Sequence, residues 1–124
     1  MIAADTSSLV AYFNGRSGVD AERLASALAA GDLVLPPIVL TEILSDPVSS
    51  TAIEEQMRQL PTLEIDDGYR IREGQARRIV LRKGFKARVG DALIAQSCID
   101  HDVALITRDR DFRHFVAHCG LKLA

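Results

Sequence analysis

Apolar residues alternate along the chain between short continuous runs and longer stripes at helical spacing. The runs at residues 2–5, 33–35, 63–65 and 104–107 predict short strands, and residues 121–123 offer a fifth. Between the runs, apolar side chains recur as in Val39, Leu40, Ile43 and Leu44, which is typical of a helix with one buried face. Regular alternation of strands and helices predicts an α/β fold, with a central parallel sheet of four to five short strands flanked by helices.

Residues with known positional preferences mark where the helices begin. Asp5 or Thr6 is suited to cap the first helix. Pro37 is suited to the first turn of the helix that follows the second strand. Asp66 or Asp67 is expected to cap the long helix that ends near residues 83–84. No linker, internal repeat or low-complexity tract interrupts the pattern. We therefore expect one domain that spans residues 1–124.

The amino-acid composition limits which functions the protein can have. The chain has 124 residues, 48% of them hydrophobic, and a formal net charge of -2, so nucleic-acid binding would need a local basic patch. Cys98 and Cys119 lie far apart without metal-ligand spacing, which favours reduced thiols in a cytoplasmic protein. No signal peptide and no apolar run long enough for a membrane span is visible, so we expect no membrane association.

Four acidic residues stand where an α/β fold places its ligand site. Asp5 ends the first strand, Asp109 follows the fourth, Glu42 lies early in a helix, and Asp91 follows Gly90 at the start of another. Ligands of open parallel sheets bind beyond the carboxyl ends of the strands. Several carboxylates in one cleft repel one another unless a cation neutralises them, and oxygen ligands suit Mg²⁺ or Mn²⁺.

Each acid also has an ordinary structural explanation. Asp5 and Asp109 are suited to cap helices, and Asp91 is favoured in a first turn by the helix dipole. Glu42 is harder to explain in this way, because its helix is largely apolar. A cluster of all four favours phosphodiester hydrolysis assisted by one or two metal ions, which needs no serine or histidine nucleophile.

Four segments carry a resemblance to a known family. Ile2–Ser7, Pro37–Ile43, Gly90–Ala95 and Ala104–Phe112 resemble the motifs of PIN-domain ribonucleases, and more closely those of VapC-type toxins. The last two are fairly specific as a pair, and the resemblance runs the length of the chain. It implies a PIN fold, a metal-dependent endoribonuclease acting on RNA, and inhibition by a small cognate antitoxin.

The resemblance also implies roles for individual residues. It makes Asp5, Glu42, Asp91 and Asp109 the catalytic set, with Asp5, Asp91 and Asp109 as ligands of Mg²⁺ or Mn²⁺.

The final motif leaves one choice open, because Asp109 and Asp111 both lie in it. We favour Asp109, which is nearer the strand end, and place Asp111 in the outer shell or at a helix cap. Thr107 and Ser7 are expected to donate hydrogen bonds to the carboxylates or to a metal-bound water.

A basic segment runs from Arg70 to Arg88, with eight Lys and Arg residues and Glu73 as its single acid. A solvated helix face and a track for the RNA backbone explain it equally well. The candidate RNA contacts in this segment are Arg77, Arg78, Arg82, Lys83 and Arg88.

Several features keep other interpretations open. His114 and His118 are four residues apart, but without a third ligand nearby we expect a surface or packing role. The stripe from Ala21 to Leu28 predicts core packing or the interface of a homodimer. Two alternative functions remain: a PIN nuclease of RNA processing without a toxic role, and a non-catalytic Mg²⁺-binding α/β module.

Overall fold

A small parallel sheet organises the protein, which a computed structural model describes over residues 1–124. Its order is β2-β1-β3, with β1 at Ile2–Ala4, β2 at Leu33–Val34 and β3 at Ala104–Ile106. Both pairings are parallel, so the carboxyl ends of all three strands meet at one edge of the sheet. Seven helices accompany the sheet: α1 Thr6–Phe13, α2 Val19–Ala30, α3 Pro37–Leu44, α4 Thr51–Gln59, α5 Tyr69–Arg82, α6 Val89–Asp100 and α7 Arg113–Cys119. A single 3₁₀ turn, Arg110–Phe112, precedes α7.

The predicted α/β class with a parallel sheet is confirmed, but the count of four to five strands is wrong. Residues 63–65 form no strand, and only an isolated parallel bridge joins Leu35 to Thr62. Residues 121–123 likewise contribute one bridge, between Leu105 and Leu123. Each run has one residue in the core, Leu63 or Leu121, and its pairing is limited to that single bridge.

The core is built mainly from aliphatic side chains. One cluster of 24 buried residues unites all three strands with side chains from α1 to α7. Helix α6 is buried on almost every side, from Ala92 to Cys98, because α3, α5, α7 and β3 all pack against it. Its first turn, which carries Asp91, is thereby fixed relative to the end of β3. None of the helices combines the length and the hydropathy needed to cross a membrane.

Candidate metal centre

The first part of the site lies where β1 and β3 end side by side. The backbone N–H of Asp5 donates to the carbonyl of Ile106 at 3.1 Å, which continues the strand pairing by one residue. The next residue, Thr107, then donates its hydroxyl to Oδ2 of Asp5 at 2.6 Å and accepts the N–H of Asp109 at 3.0 Å. Thr107 therefore links the two strand-end aspartates in one hydrogen-bonded unit.

Asp5 is the most enclosed carboxylate of the site, with 2% of its surface exposed. Its Oδ1 caps α1 by accepting the N–H of Ser8 at 2.9 Å, and its Oδ2 also accepts the hydroxyl of Ser7 at 2.8 Å. Burial raises the pKa of this carboxyl, and the hydrogen bonds from Thr107, Ser8 and Ser7 oppose the rise. Ser7 and Thr107 thus both donate hydrogen bonds to the Asp5 carboxylate, and their place in the outer shell of a metal ion stays a prediction.

Three other carboxylates form the most compact acidic group. One oxygen from each of Asp91, Asp109 and Asp111 lies within 4.8 Å of the others. Asp109 caps the 3₁₀ turn by accepting the N–H of Asp111 at 2.9 Å, which holds both side chains beside the first turn of α6. Asp111, predicted in the outer shell or at a cap, lies inside this group, whereas Asp5 adjoins it through Thr107.

Asp91 is held in an unfavourable environment while no cation is bound. Its carboxyl has a pKa raised from 3.8 to about 6, first because of burial and then because of the negative charges of Asp109, Asp111 and Asp5. Arg88 opposes this rise, with its guanidinium 3.8 Å from Asp91 and 3.8 Å from Asp111. One Asp91 oxygen, Oδ2, is buried and has no hydrogen-bond partner. Such orphaned acceptors are rare in folded proteins and need a specific reason.

Glu42 approaches from the opposite side of the same edge. It projects from α3 into solvent, and its Oε1 accepts the hydroxyl of Thr6 at 2.8 Å. Its Oε2 lies 4.0 Å from the position that a Cβ would take on Gly90, next to Asp91 in the chain. The structure therefore brings Glu42 beside the start of α6, although it is outside the compact group of three.

These residues fit a divalent cation. The group supplies only carboxylate oxygens, the ligand type that Mg²⁺ and Mn²⁺ prefer. The unpartnered Oδ2 of Asp91 is a buried acceptor without a donor, and a cation would satisfy it. Asp91, Asp109 and Asp111 are the residues that would hold the ion, with Asp5 fixing the backbone around them. The repulsion that raises the pKa of Asp91 would then become attraction to the metal.

Two arginines stabilise the site in ways that the sequence did not indicate. Arg108 follows Thr107 and forms a two-pronged ion pair with Asp20 at the start of α2, at 2.8 and 3.1 Å. This pair ties the loop after β3 to α2. Arg88 lies between Asp91 and Asp111, and its predicted contact with RNA stays a prediction. The Arg108–Asp20 and Arg88–Asp111 pairs join residues far apart in the chain and leave no local pattern, whereas Arg88 and Asp91 are only three residues apart.

The remaining basic residues divide into two groups. Arg77 is half-buried and donates to the carbonyl of Ala87 at 2.8 Å, so it supports the loop before α6. Arg78, Arg82 and Lys83 are exposed and form no ion pair. Charges without acidic partners on a surface remain available to an anionic ligand. Their contact with RNA stays a prediction.

Comparison with known proteins agrees with this architecture. A family model described as the PIN domain matches residues 2–117, nearly the whole chain. The fold is similar to a crystal structure of VapBC2 from Rickettsia felis bound to a DNA fragment from their promoter. That similarity has a TM-score of 0.74 and 22% sequence identity, and it covers 100% of this chain and 98% of the other.

Proposed function

The chain belongs to the PIN-domain family, and from that premise we propose that it is a divalent-cation-dependent endoribonuclease and the toxin of a toxin–antitoxin pair. The observation that carries the proposal is the group of Asp91, Asp109 and Asp111, with an unpartnered buried oxygen on Asp91. Asp5 and Glu42 border this group from β1 and α3. No arrangement of a serine or cysteine with a histidine is needed, since water can serve as the nucleophile.

The carboxylates have different proposed roles in hydrolysis. A bound Mg²⁺ or Mn²⁺ would stabilise the negative charge that develops on the phosphate and would acidify water. Asp91 and Asp109 would hold the ion together with Asp111, and Asp5 is kept as a further candidate ligand. Glu42 is exposed and keeps Oε2 free while Thr6 holds Oε1, so it is positioned to accept a proton from water. Asp5 maintains the geometry through Thr107.

RNA is the proposed substrate, and the exposed cations of α5 support a polyanionic strand as the ligand. Arg78, Arg82 and Lys83 lie on the same helix or at its end, and the following loop reaches Arg88 beside Asp91. Phosphate contacts of this kind position a strand without reading its sequence. Clustered cations also offset the repulsion that a phosphate backbone would meet from the carboxylates.

The proposed partner is a small antitoxin that covers the site. The similar structure from Rickettsia felis is named as a VapBC2 complex, which supports a partner of this kind. A groove of about 440 Å³ beside Glu42 is lined by Thr6, Val10, Phe13 and Val48 among others. Because Val10 and Val48 are exposed and Glu42 belongs to the groove wall, an apolar segment bound there would block the catalytic edge. A homodimer is also part of the proposal.

The test is cleavage of single-stranded RNA by the purified protein, freed of any antitoxin. We expect cleavage with Mg²⁺ or Mn²⁺ and none in excess EDTA. Asp91→Asn and Asp109→Asn should abolish it, while Glu55→Gln, which alters an exposed acid on α4, should not. Cleavage that persists in EDTA, or survives in Asp91→Asn, would overturn the proposed mechanism.

A further inference from the structure

Three rings form a short column on the surface between the loop after α5 and helix α7. Phe85 stacks on His114 with ring centroids 4.0 Å apart and planes inclined by 12°. His118, one turn further along α7, lies 6.1 Å from Phe85 at an inclination of 18°. Phe85 retains 41% of its surface exposed, and His118 is also exposed. Near-parallel rings that remain open to solvent present π faces to a ligand.

The surroundings of the column are cationic. Lys83 and Lys86 flank Phe85 in the chain, and neither forms an ion pair. No acidic residue occurs between Glu73 and Asp91. A ligand suited to this surface therefore needs a flat π system and negative charge together. Nucleotides have both, and proteins that bind single strands combine aromatic stacking with a positive groove.

The column lies next to the acidic group because the same two segments form both. Arg88, three residues after Phe85, contacts Asp91 and Asp111, and His114 follows Asp111 by three residues. Three residues span at most about 11 Å even when extended. A strand whose phosphate lies at the carboxylates therefore has a base within reach of the rings.

We propose that Phe85, stacked on His114 and His118, is a binding site for one nucleobase of the RNA, a short distance along the strand from the phosphate that is cleaved. This inference rests on the proposed function and adds a substrate-positioning site to it. Stacking tolerates any base, because every base has a π face. The column would thus hold the strand beside the carboxylates without selecting its sequence. His114 and His118 belong to no group of three potential metal ligands, and both stack on Phe85.

The test measures affinity for single-stranded RNAs that contain one cleavage site and in which one abasic position is moved along the strand. Mg²⁺ is present throughout, and Glu42→Gln in every protein prevents cleavage. In the parent protein, we expect one position at which loss of the base weakens binding by about 5- to 150-fold, the range found for one stacked base. Phe85→Leu keeps an apolar side chain but removes the ring, so it should weaken binding to intact RNA similarly and abolish the penalty at that position. Phe85→Trp should restore both.

Matched controls separate the possible outcomes. Ile71→Ala alters another exposed apolar side chain, on α5, and should leave affinity unchanged. Equal melting temperatures for all variants would show that folding is intact. If Phe85→Leu binds RNA as the parent does, or loses affinity without removing the position-specific penalty, the stacking site is refuted while cleavage stands. If Phe85→Leu weakened binding of the antitoxin but not of RNA, the column would be a contact for the protein partner, and the stacking site would again be refuted. A parent that binds no RNA would instead refute the proposed function.

Discussion

Neutralising Asp91 should stabilise the protein in the absence of metal. The carboxyl has a pKa raised from 3.8 to about 6, so its charged form is disfavoured in the folded state. A shift of about two pKa units corresponds to about 3 kcal/mol at neutral pH. The side chain is 17% exposed at the edge of the sheet, and solvent screening lowers this value. We therefore expect Asp91→Asn to raise the free energy of unfolding by about 1–2 kcal/mol.

The pH dependence of this gain has a definite sign. Because the folded-state pKa lies above the ordinary value, the penalty is present in full above pH 6 and disappears below pH 3.8. Urea unfolding of parent and variant in EDTA, at pH values from 3.5 to 7.5, measures the difference directly. We expect the variant to be more stable at pH 7 and the gap to close in acid. Glu55→Gln is the control for loss of a charge at an exposed position.

Added Mg²⁺ should reverse the order, since only the parent gains stability by binding the ion. If Asp91→Asn unfolds more readily than the parent in EDTA at neutral pH, the carboxylate serves chiefly as part of the helix start, and the reasoning from repulsion fails.

Three further substitutions test other parts of the structure. Thr107→Val removes both hydrogen bonds of the Thr107 hydroxyl, so it should lower the free energy of unfolding by about 1–3 kcal/mol and abolish cleavage. Thr107→Ser keeps the hydroxyl and should retain both stability and cleavage. Equal behaviour of the two variants would contradict the link between the strand ends. Replacing Arg82 and Lys83 by Glu should weaken binding to all single-stranded RNAs alike, without moving the cleavage site. The slope of log affinity against log salt concentration should fall by roughly 0.7 for each phosphate that is no longer neutralised. An unchanged slope and affinity would show that these two residues do not contact RNA. Arg72→Leu should lower the free energy of unfolding measured in urea at pH 7, because its guanidinium donates to both oxygens of Asp100. This hydrogen bond lowers the pKa of Asp100 below 3.8, so the cost should shrink as the pH falls through the lowered value; a deficit that is constant in acid would argue against the ion pair.

The sequence predicted elements well where local pattern and burial coincide. The helix at Pro37–Leu44 begins at its proline and packs the predicted Val39 and Ile43 into the core. The pattern failed at residues 63–65, because an apolar run reports burial and does not reveal whether a partner strand is available. The predicted cap of α5 by Asp66 or Asp67 is also wrong. Gly68, with φ at 80°, starts this helix without a side-chain cap.

The candidate site was predictable in its members but not in their contacts. Helix capping and site formation looked like alternatives in the sequence, yet Asp5 and Asp109 do both. Each accepts a backbone N–H, and Asp109 belongs to the acidic group while Asp5 adjoins it. The position of Asp109 in its motif favoured it over Asp111 as a metal ligand. In the structure, the 3₁₀ turn places both residues beside Asp91. The position of Arg88 between two of these carboxylates depends on how the start of α6 meets the end of β3, which no local pattern encodes.

The location of Mn²⁺ in a crystal of the antitoxin-free protein tests the central claim most directly. Anomalous scattering identifies this ion without reference to activity. The account predicts Mn²⁺ in contact with Asp91 and with Asp109, Asp111 or both, and its loss from that place in Asp91→Asn. Crystals that hold Mn²⁺ only at other acidic or histidine side chains, or that leave these three carboxylates without it at saturating concentration, would contradict the claim.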